Sequence, residues 1–307
     1  MIYVKNTITA FSATNLTDTY SDWSESTTYT LETNNASLTN ASMVRYGAYY
    51  WRSLTNNNLN NNPELTENIH WVKYGISNKF AMLDLSSQSS SSYNGDMYVE
   101  FPITVTNTAL GIGNYISQNV QIDIYDALNN IVWTYTTPDT INSEVIDWWT
   151  YIYADYNFQF GRTAYINLPS YLGVKARVTF YQPVGLNASC GFLSYGDGVD
   201  MGKTKTPINF KFTSYAKKTY DDFGSLSITK GAVQDLLDFI TVIDKDYFMS
   251  NKRKIKDVYN DIIMFVLDES STSQFENLVT LGVIQDASPI LDEYDKSIIS
   301  WTVVEAL

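Results

Sequence analysis

The chain has 307 residues, a length that fits about two or three domains, and 44% of them are apolar, so it can bury a core and is not wholly disordered. Its 20 Lys and Arg residues against 33 Asp and Glu residues give a formal net charge of −13, which argues against a basic surface for binding nucleic acid. The single cysteine, Cys190, excludes an intramolecular disulfide and a thiolate metal cluster, and the single histidine, His70, excludes a zinc site built from several imidazoles.

The composition is aromatic and poor in charge. There are 24 Tyr, 14 Phe and 7 Trp residues, while charged residues make up 17% of the chain. This combination is typical of β-rich binding and structural proteins and favours those classes over catalysis. Residues 1–6 have neither the basic nor the apolar region of a signal peptide, and the longest apolar run, 262–267, is far shorter than the ~20 residues of a membrane helix. We therefore expect no secretory signal and no membrane insertion.

Three segments precede residue 95. Residues 1–20 are predicted to form an N-terminal arm with a short strand at Met1–Val4. Residues 21–85 are dense in aromatic residues but lack long apolar runs, which predicts a small β domain. The serine-rich segment Ser86–Ser92 is predicted to be a linker or an exposed loop.

Residues 95–213 are predicted to form a β-sandwich domain. Apolar side chains alternate along the first predicted strand, at Met97, Val99, Phe101, Ile103 and Val105. The same alternation recurs in several short segments up to Phe212, and Gly and Pro residues lie in the gaps between them. Leu128–Asn130 is predicted to be a hairpin turn, because Asn tolerates positive φ.

Residues 214–307 are predicted to form a small α+β unit. Val233, Leu236, Leu237 and Ile240 fit a helical stripe, and Ser271–Ser273 is predicted to cap a second short helix. Ile298–Val304 is predicted to be a closing strand, and residues 261–267 fit either a strand or a helix. The fold class predicted for the whole chain is mainly β: a small aromatic-rich β module, a β-sandwich-like middle domain and a small α+β C-terminal unit.

An ordered set of aromatic residues stands out between residues 23 and 71. Its parts, in chain order, are Trp23, Thr27-Thr28-Tyr29, the segment 43–51 (MVRYGAYYW), an Asn-rich loop that reaches Asn62-Pro63, and Trp71. This order resembles the small carbohydrate-binding modules of chitin-binding type. Because sugar rings stack on aromatic faces, the resemblance implies four candidate glycan-binding residues: Tyr49, Tyr50, Trp51 and Trp71. The alternative is that these rings are structural, since a module of about fifty residues has little other core.

The segment 78–84 (NKFAMLD) follows this module directly. It completes an ordered set of features: an arm, an aromatic hairpin, an Asn-Pro loop, a closing Trp and then this segment. The ordered set resembles a family of tailed-bacteriophage virion proteins with tail or carbohydrate-binding structural roles. Two later segments are similar to passages of the same family: 191–202 (GFLSYGDGVDMG) and 214–224 (SYAKKTYDDFG), of which the second lacks the opening Asp of the family pattern. The resemblance extends over nearly the whole chain and implies a structural role in a phage tail.

The charged segment 217–224 is predicted to be an exposed turn between strands. Phe223 and Gly224 are expected to supply a buried anchor and a residue with positive φ. One interpretation is a plain loop, and the other is a docking loop for a neighbouring subunit. The docking-loop candidates are Lys217, Lys218, Asp221, Asp222, Phe223 and Gly224.

The signals for an enzyme are weak. The chain contains no Gly-x-Ser-x-Gly nucleophile motif, and the pair Gly111 and Gly113 has no third glycine to complete a phosphate-binding loop. Asp147 lies beside two tryptophans, as carboxylates of glycosidases do, but glycoside hydrolysis needs two carboxyl groups at a defined separation. Asp197 and Asp200 lack the ligand count of a calcium loop. We expect no catalytic residue, metal or cofactor.

The leading hypothesis is a non-enzymatic structural component of a bacteriophage tail, in a baseplate, collar or tail-fibre adaptor, that acts through subunit assembly. Its partners would be other tail proteins and copies of itself, with the N-terminal arm and loops clasping neighbours, in a virion assembled in the bacterial cytoplasm. The alternative hypothesis is a receptor-recognition protein that binds a host surface glycan. A third hypothesis is a polysaccharide depolymerase, which requires paired acids in a cleft.

Overall fold

The computed structural model describes residues 1–32, 38–86, 88–104, 108–137, 162–169, 173–220, 225–267, 279–291 and 296–306. Within these residues the protein is mainly β, which confirms the predicted fold class. No described helix is long and apolar enough to cross a membrane.

The elements follow one another in this order. Before residue 95 the strands are β1 (Ile2–Val4), β2 (Ala13–Thr14), β3 (Thr28–Tyr29), β4 (Met43–Tyr46), β5 (Tyr49–Ser53), β6 (Asn58–Leu59), β7 (Trp71–Ile76) and β8 (Ser91–Asn94), with a 3-10 helix at Ala81–Leu83. The middle strands are β9 (Met97–Pro102), β10 (Thr108–Tyr115), β11 (Asn119–Tyr125), β12 (Ile131–Thr136), β13 (Arg162–Asn167), β14 (Lys175–Tyr181), β15 (Asn187–Cys190) and β16 (Phe192–Asp200). The C-terminal elements are β17 (Lys203–Ser214), β18 (Lys217–Tyr220), β19 (Leu226–Thr229), β20 (Val233–Asp244), a 3-10 helix at Lys245–Tyr247, α1 (Phe248–Val258), β21 (Ile263–Val266), β22 (Val279–Ile290) and β23 (Lys296–Glu305).

The middle of the chain forms a β-sandwich. A sheet in the order β12-β11-β14-β9-β2 faces strands β10, β13 and β16, and the side chains between them make one core. The predicted alternation holds in β9, where Met97, Val99 and Phe101 are fully buried, while Val105 lies outside the described residues. Across the core, the rings of Phe101 and Tyr195 have centroids 4.9 Å apart. The sandwich thus follows from the period-2 apolar pattern.

The hairpin predicted at Leu128–Asn130 is confirmed. It connects the antiparallel strands β11 and β12, and Asn129 has a φ of 68°. Asp126 organises the turn, because its carboxylate accepts hydrogen bonds from the backbone N–H groups of Leu128 and Asn130, each at 2.8 Å. A short polar residue that tolerates left-handed backbone therefore sets this turn, as the sequence predicts.

The serine-rich segment is not a free linker. Ser91 is fully buried in β8, which pairs with β15, and its Oγ accepts a hydrogen bond of 3.0 Å from the backbone N–H of Met82. Ser89 donates a hydrogen bond of 2.6 Å to Asp84. Ser87 lies outside the described residues. The linker prediction is wrong, because serine hydroxyls bond to the neighbouring 3-10 helix. The alternative, an exposed loop, holds for Gln88 and Ser90, which are exposed and lie outside any strand or helix.

Nine of the described strands form one sheet, in the order β13-β10-β16-β1-β21-β22-β23-β20-β17. β1 lies within it and pairs antiparallel with β16 on one edge and with β21 on the other. Ile2 and Val4 pack with Met264 on one face of the sheet, while Met1 and Tyr3 pack into a second core on the opposite face. β1 therefore joins the strands of the sandwich to those of the C-terminal part.

The strand predicted at Met1–Val4 is confirmed, but the expectation that the arm clasps a neighbouring subunit is wrong for β1. Both of its edges and both of its faces are occupied within the chain. The arm then continues to β2, which pairs with β9 at the edge of the other sheet. Because segments 1–20, 95–213 and 214–307 all contribute strands to the nine-stranded sheet, the predicted boundary between residues 213 and 214 does not separate two sheets.

The helix predicted from Val233 to Ile240 is a strand. These residues belong to β20, which pairs with β17 on one edge and β23 on the other. Leu237, Phe239 and Ile243 alternate into the core, whereas Ile240 is exposed, so the period of two is the one that the fold uses. Among the described C-terminal residues the α-helix is α1, which places Ile255 and Val258 on the same core.

The remaining C-terminal predictions have mixed outcomes. The closing strand at Ile298–Val304 is confirmed as part of β23, and the ambiguous segment 261–267 contains strand β21. The helix predicted after Ser271–Ser273 lies outside the described residues.

Gly196 tests how tightly the segment after β1 is held. A Cβ atom at Gly196 would lie 2.0 Å from the carbonyl oxygen of Lys5, whereas one at Gly75, also in a strand, would have no atom within 4 Å. Because backbone at Lys5 cannot move without disturbing β1, we expect Gly196→Ala to lower the free energy of unfolding by about 1–3 kcal/mol, measured by urea denaturation. Gly75→Ala is the control and should change it by less than about 1 kcal/mol. Equal effects of the two substitutions would contradict this account.

Candidate functional site

Trp51 and Trp71, two of the glycan-binding candidates, form the core of the small aromatic module. This module is a β4-β5-β7 sheet with a β3-β6 ribbon, and both indoles are essentially inaccessible to solvent. The Trp71 ring lies 5.1 Å from that of Tyr29 in an edge-to-face arrangement. The indole N–H groups donate to the backbone carbonyls of Tyr46 and Asn61. In this conformation neither ring has a free face for a sugar, so their position fits the structural interpretation of the motif.

Tyr50, the third candidate, connects the module to the arm. Its ring is buried, and its hydroxyl accepts a hydrogen bond of 2.9 Å from the backbone N–H of Thr19 and donates one of 3.2 Å to the carboxylate of Asp18. Burial raises the pKa of Tyr50. Asp18 also forms an ion pair with Arg45 of β4, with N–O 3.1 Å. Tyr50 thus fixes the orientation of the module on the segment that precedes it.

Tyr49 is the only one of the four candidates with appreciable exposure, and Lys73 covers it. The Lys73 ammonium lies 4.1 Å from the centroid of the Tyr49 ring. A β-bulge interrupts the pairing of β5 with β7 between Tyr50 and Trp51, and it leaves Tyr74 outside the register. The Tyr74 side chain is 49% exposed. Bulges redirect side chains, and this one presents an aromatic ring that the sequence motif did not single out.

The docking-loop candidates divide into two sets. Lys217 and Lys218 lie in β18, where they are exposed, while Asp221, Asp222, Phe223 and Gly224 lie outside the described residues. β18 pairs with β19, and every residue of both strands is exposed. The sequence therefore locates an exposed hairpin correctly, although its charged residues are not its most distinctive feature.

One face of this hairpin is apolar. The register puts Tyr220 opposite Leu226 and Lys218 opposite Ile228, so these four side chains share a face. The opposite face carries Lys217, Thr219, Ser227 and Thr229. An amphipathic ribbon normally covers its apolar face with a core. Here Tyr220 is 70% exposed, and Leu226 and Ile228 are about half exposed.

Strands β17 and β20, which precede and follow the hairpin in the chain, also expose apolar side chains. In β17, Ile208, Phe210 and Phe212 alternate on one face; Ile208 packs on the C-terminal core, Phe210 is half exposed and Phe212 is 72% exposed. Phe210 lies opposite the buried Leu237 in the register, so this apolar row starts at the core and runs outward. We call the exposed set the hairpin surface: Phe210, Phe212, Tyr220, Leu226, Ile228 and Val233.

The outer face of the sandwich carries an ion-pair cluster that sequence reasoning missed. Glu100 of β9 is buried and accepts hydrogen bonds from Arg177 Nε at 2.7 Å and from Lys175 at 3.2 Å. Arg177 in turn lies over the rings of Tyr98 and Tyr125. Burial alone would raise the pKa of Glu100, but the hydrogen bonds from Arg177 and Lys175 outweigh it and hold that pKa below its ordinary value. The sequence signal for this cluster is the set of polar positions that alternate with apolar ones in β9 and β14.

Acid should weaken this cluster. A carboxylate whose pKa in the folded protein lies below its ordinary value of 4.5 stabilises the fold above that pH, and the contribution disappears as the pH falls through the folded value. We expect Glu100→Gln to lower stability at pH 7 by about 1–2 kcal/mol and the two proteins to converge in acid, measured by urea denaturation across pH. Glu64→Gln, which removes the same charge at an exposed position, is the control and should follow the wild type. A constant difference between wild type and Glu100→Gln at every pH would contradict this account.

Other candidates from the sequence carry no assembled site. Among the described residues, no group of three or more His, Cys, Asp and Glu side chains could hold a metal ion. His70 Nδ1 lies 3.1 Å from the hydroxyl of Thr55. Cys190 is fully buried in the sandwich core, and burial raises the pKa of its thiol, so the thiol is not activated as a nucleophile. Asp147 lies outside the described residues.

Comparison with known proteins gives no assignment: no family model, curated protein or solved structure matches the chain.

Proposed function

We propose that the protein is a non-enzymatic structural component of a bacteriophage tail, in a baseplate, collar or tail-fibre adaptor, and that it acts through subunit assembly. The observation that carries the proposal is the hairpin surface. The resemblance of the ordered sequence segments to tailed-phage virion proteins supports the tail context. The mainly β architecture is compatible with that role, although a fold alone does not define a function.

The hairpin surface has the composition of a protein interface. Its rings and branched aliphatic side chains belong to residue types common in the buried centres of interfaces, and one lysine, Lys218, lies on the same face. Large exposed apolar side chains that cluster on one part of a protein commonly mark an interaction site. The Asp238 carboxylate in β20 pairs with Lys211 of β17 and accepts a hydrogen bond from Thr302 of β23, so the base of the extension is fixed to the sheet.

The geometry also explains why the extension needs a partner. A two-stranded ribbon is marginally stable in water when no third strand or core covers it. Here β18 and β19 pair only with each other among the described strands, and none of their described residues is buried. A neighbouring subunit that covers Tyr220, Leu226 and Ile228 would bury apolar area and order the ribbon in the same step.

Charge on the hairpin surface should block assembly. We expect the double variant Leu226→Asp/Ile228→Asp to abolish concentration-dependent association, measured by sedimentation velocity of the protein alone and mixed with its neighbouring tail proteins. The reason is that two carboxylates would have to be desolvated in an apolar contact. Val184→Asp/Leu128→Asp is the matched control, because both residues are strongly exposed apolar residues in turns of the sandwich. Association that survives the first variant, or that both variants abolish equally, would contradict the role of the hairpin surface.

The tail context has its own test. Purified particles of a tailed phage that encodes this chain should contain it in several copies, as measured by quantitative mass spectrometry of isolated tails. Presence of the chain in infected cells but absence from the particles would contradict the virion role. It would leave the association measured for the hairpin surface unaffected, so the two parts of the proposal are tested separately.

Glycan binding is the second candidate, and the exposed Tyr74 ring at the bulge of β7 is the observation that favours it. If this surface binds sugar, Tyr74→Ala should remove saturable binding to host polysaccharide while the circular dichroism spectrum remains unchanged. Trp51→Ala is not a suitable probe, because truncating a buried Trp costs about 3–5 kcal/mol and would unfold the module. Unchanged binding in Tyr74→Ala, or no binding by the wild type, would count against this candidate.

A further inference from the structure

A cavity of about 810 Å³ lies at the end of the nine-stranded sheet that is nearest to α1. It is bounded by the turn between β16 and β17, the end of β20, the start of β23 and the first turns of α1. Gly202 makes the turn possible, because its φ is +93° and a Cβ atom there would lie 2.3 Å from the carbonyl oxygen of Val242. The volume falls in the range of about 300–1,000 Å³ that is typical of small-molecule sites.

Four lysines line this cavity in a chain with a net charge of −13: Lys203, Lys205, Lys254 and Lys296. Two come from β17, one from α1 and one from β23. Lys203 and Lys205 are two residues apart in one strand, so they share a face. Some lysines elsewhere pair with carboxylates, as Lys5 does with Asp261 and Lys175 with Glu100, while others, such as Lys217 and Lys218, have no such pair among the described residues. Across the described part of the chain, none of the four ammonium groups at the cavity has a carboxylate within 4.0 Å.

Asn251 provides a second, independent observation. Its side chain lines the cavity and is only 5% exposed, yet no hydrogen-bonding partner for its amide occurs among the described residues. The amide can therefore donate a hydrogen bond to a molecule in the cavity. Asn251 lies near the N-terminus of α1, and Tyr247, which precedes that helix, makes no side-chain capping bond. Asn251 and Lys254 are three residues apart in α1 and both line the cavity, so they share one face of the helix.

The charge balance indicates what kind of anion fits. Two aspartates, Asp200 and Asp244, also line the cavity, so the four lysines leave a formal excess of two positive charges. A phosphate monoester carries about −1.5 to −2 near neutral pH, and lysines bind phosphate as point charges. The cavity is larger than a phosphate group. The two carboxylates can accept hydrogen bonds from hydroxyl groups on the rest of a ligand that carries the phosphate.

We propose that this cavity is a binding site for a hydroxylated phosphate monoester of about the size of a sugar phosphate. Lys203, Lys205, Lys254 and Lys296 surround the phosphate, the Asn251 amide donates a hydrogen bond to it, and Asp200 and Asp244 accept hydrogen bonds from hydroxyl groups. The site is distinct from the hairpin surface and does not depend on the assembly role.

The test is isothermal titration of the full chain at low ionic strength with inorganic phosphate, glucose 6-phosphate and glucose. We expect saturable one-to-one binding of both phosphates, tighter for glucose 6-phosphate, and none for glucose. Lys203→Gln/Lys254→Gln should weaken binding by about tenfold or more, because two charged hydrogen-bond donors are lost. Lys217→Gln/Lys218→Gln removes the same charge at the exposed hairpin and should leave the affinity unchanged.

A further variant distinguishes a specific binding site from non-specific electrostatic attraction of anions. Asn251→Asp keeps the size of the side chain but places a negative charge in the cavity, so it should abolish phosphate binding, while thermal unfolding of the variant checks its fold. If it does not fold, protection of α1 from hydrogen exchange by phosphate in the wild type replaces it. The proposal is overturned if neither phosphate binds, if glucuronate binds as tightly as glucose 6-phosphate, or if both lysine variants weaken binding equally.

Discussion

The pairing of β1 inside the nine-stranded sheet is the constraint on which the rest of the structure depends. A three-residue strand with both edges hydrogen-bonded connects β16, which belongs to the sandwich, to β21, which belongs to the C-terminal part. Its alternate side chains enter two different cores, so Tyr3 and Val4 each contribute to a separate apolar cluster. Without β1 the two halves of the sheet would each expose an unpaired edge. Pairing between strands far apart in sequence therefore joins strands from both parts of the chain in one described sheet.

This arrangement determines which surfaces are left for interaction. The first residues lie inside the sheet and β2 pairs at one edge of the sandwich, so β1 and β2 are both occupied by intramolecular contacts. β17, at the outer edge of the large sheet, is the strand whose far end extends beyond the core, together with the ribbon β18-β19. Natural proteins usually protect edges and apolar ribbons from other chains. An edge that instead exposes Phe212 and Tyr220 is well suited to a controlled contact with another subunit.

Local patterns predicted the parts of the fold that local physics determines. Alternation in β9 predicted the sandwich, and the tolerance of Asn129 for positive φ predicted its hairpin. The apolar stripe from Val233 to Ile240 led to a wrong helix prediction, because the same residues fit a helical period of 3.6 and a strand period of 2. Pairing with β17 and β23 on either side selects the strand. The position of β1 was not predictable either, because its partners lie about 200 and 260 residues away in sequence and three apolar residues do not identify them. Long-range pairing also brings together lysines of the cavity, since β20 pairs with β17, which carries Lys203 and Lys205, and with β23, which carries Lys296.

The aromatic module shows why a motif of residue types does not by itself locate a binding site. Tyr49, Tyr50, Trp51 and Trp71 fit a sugar platform and a miniature core equally well, since both need large rings at alternate strand positions. The register decides between the two roles, because a shift of one residue would exchange the buried and the exposed faces of β5. Here the hydrogen bonds from the two indoles to backbone carbonyls and the contact of Tyr50 with Asp18 fix that register. The rings that hold the module together are therefore ones that the motif contains, whereas the exposed Tyr74 ring lies at a bulge that no residue pattern predicts.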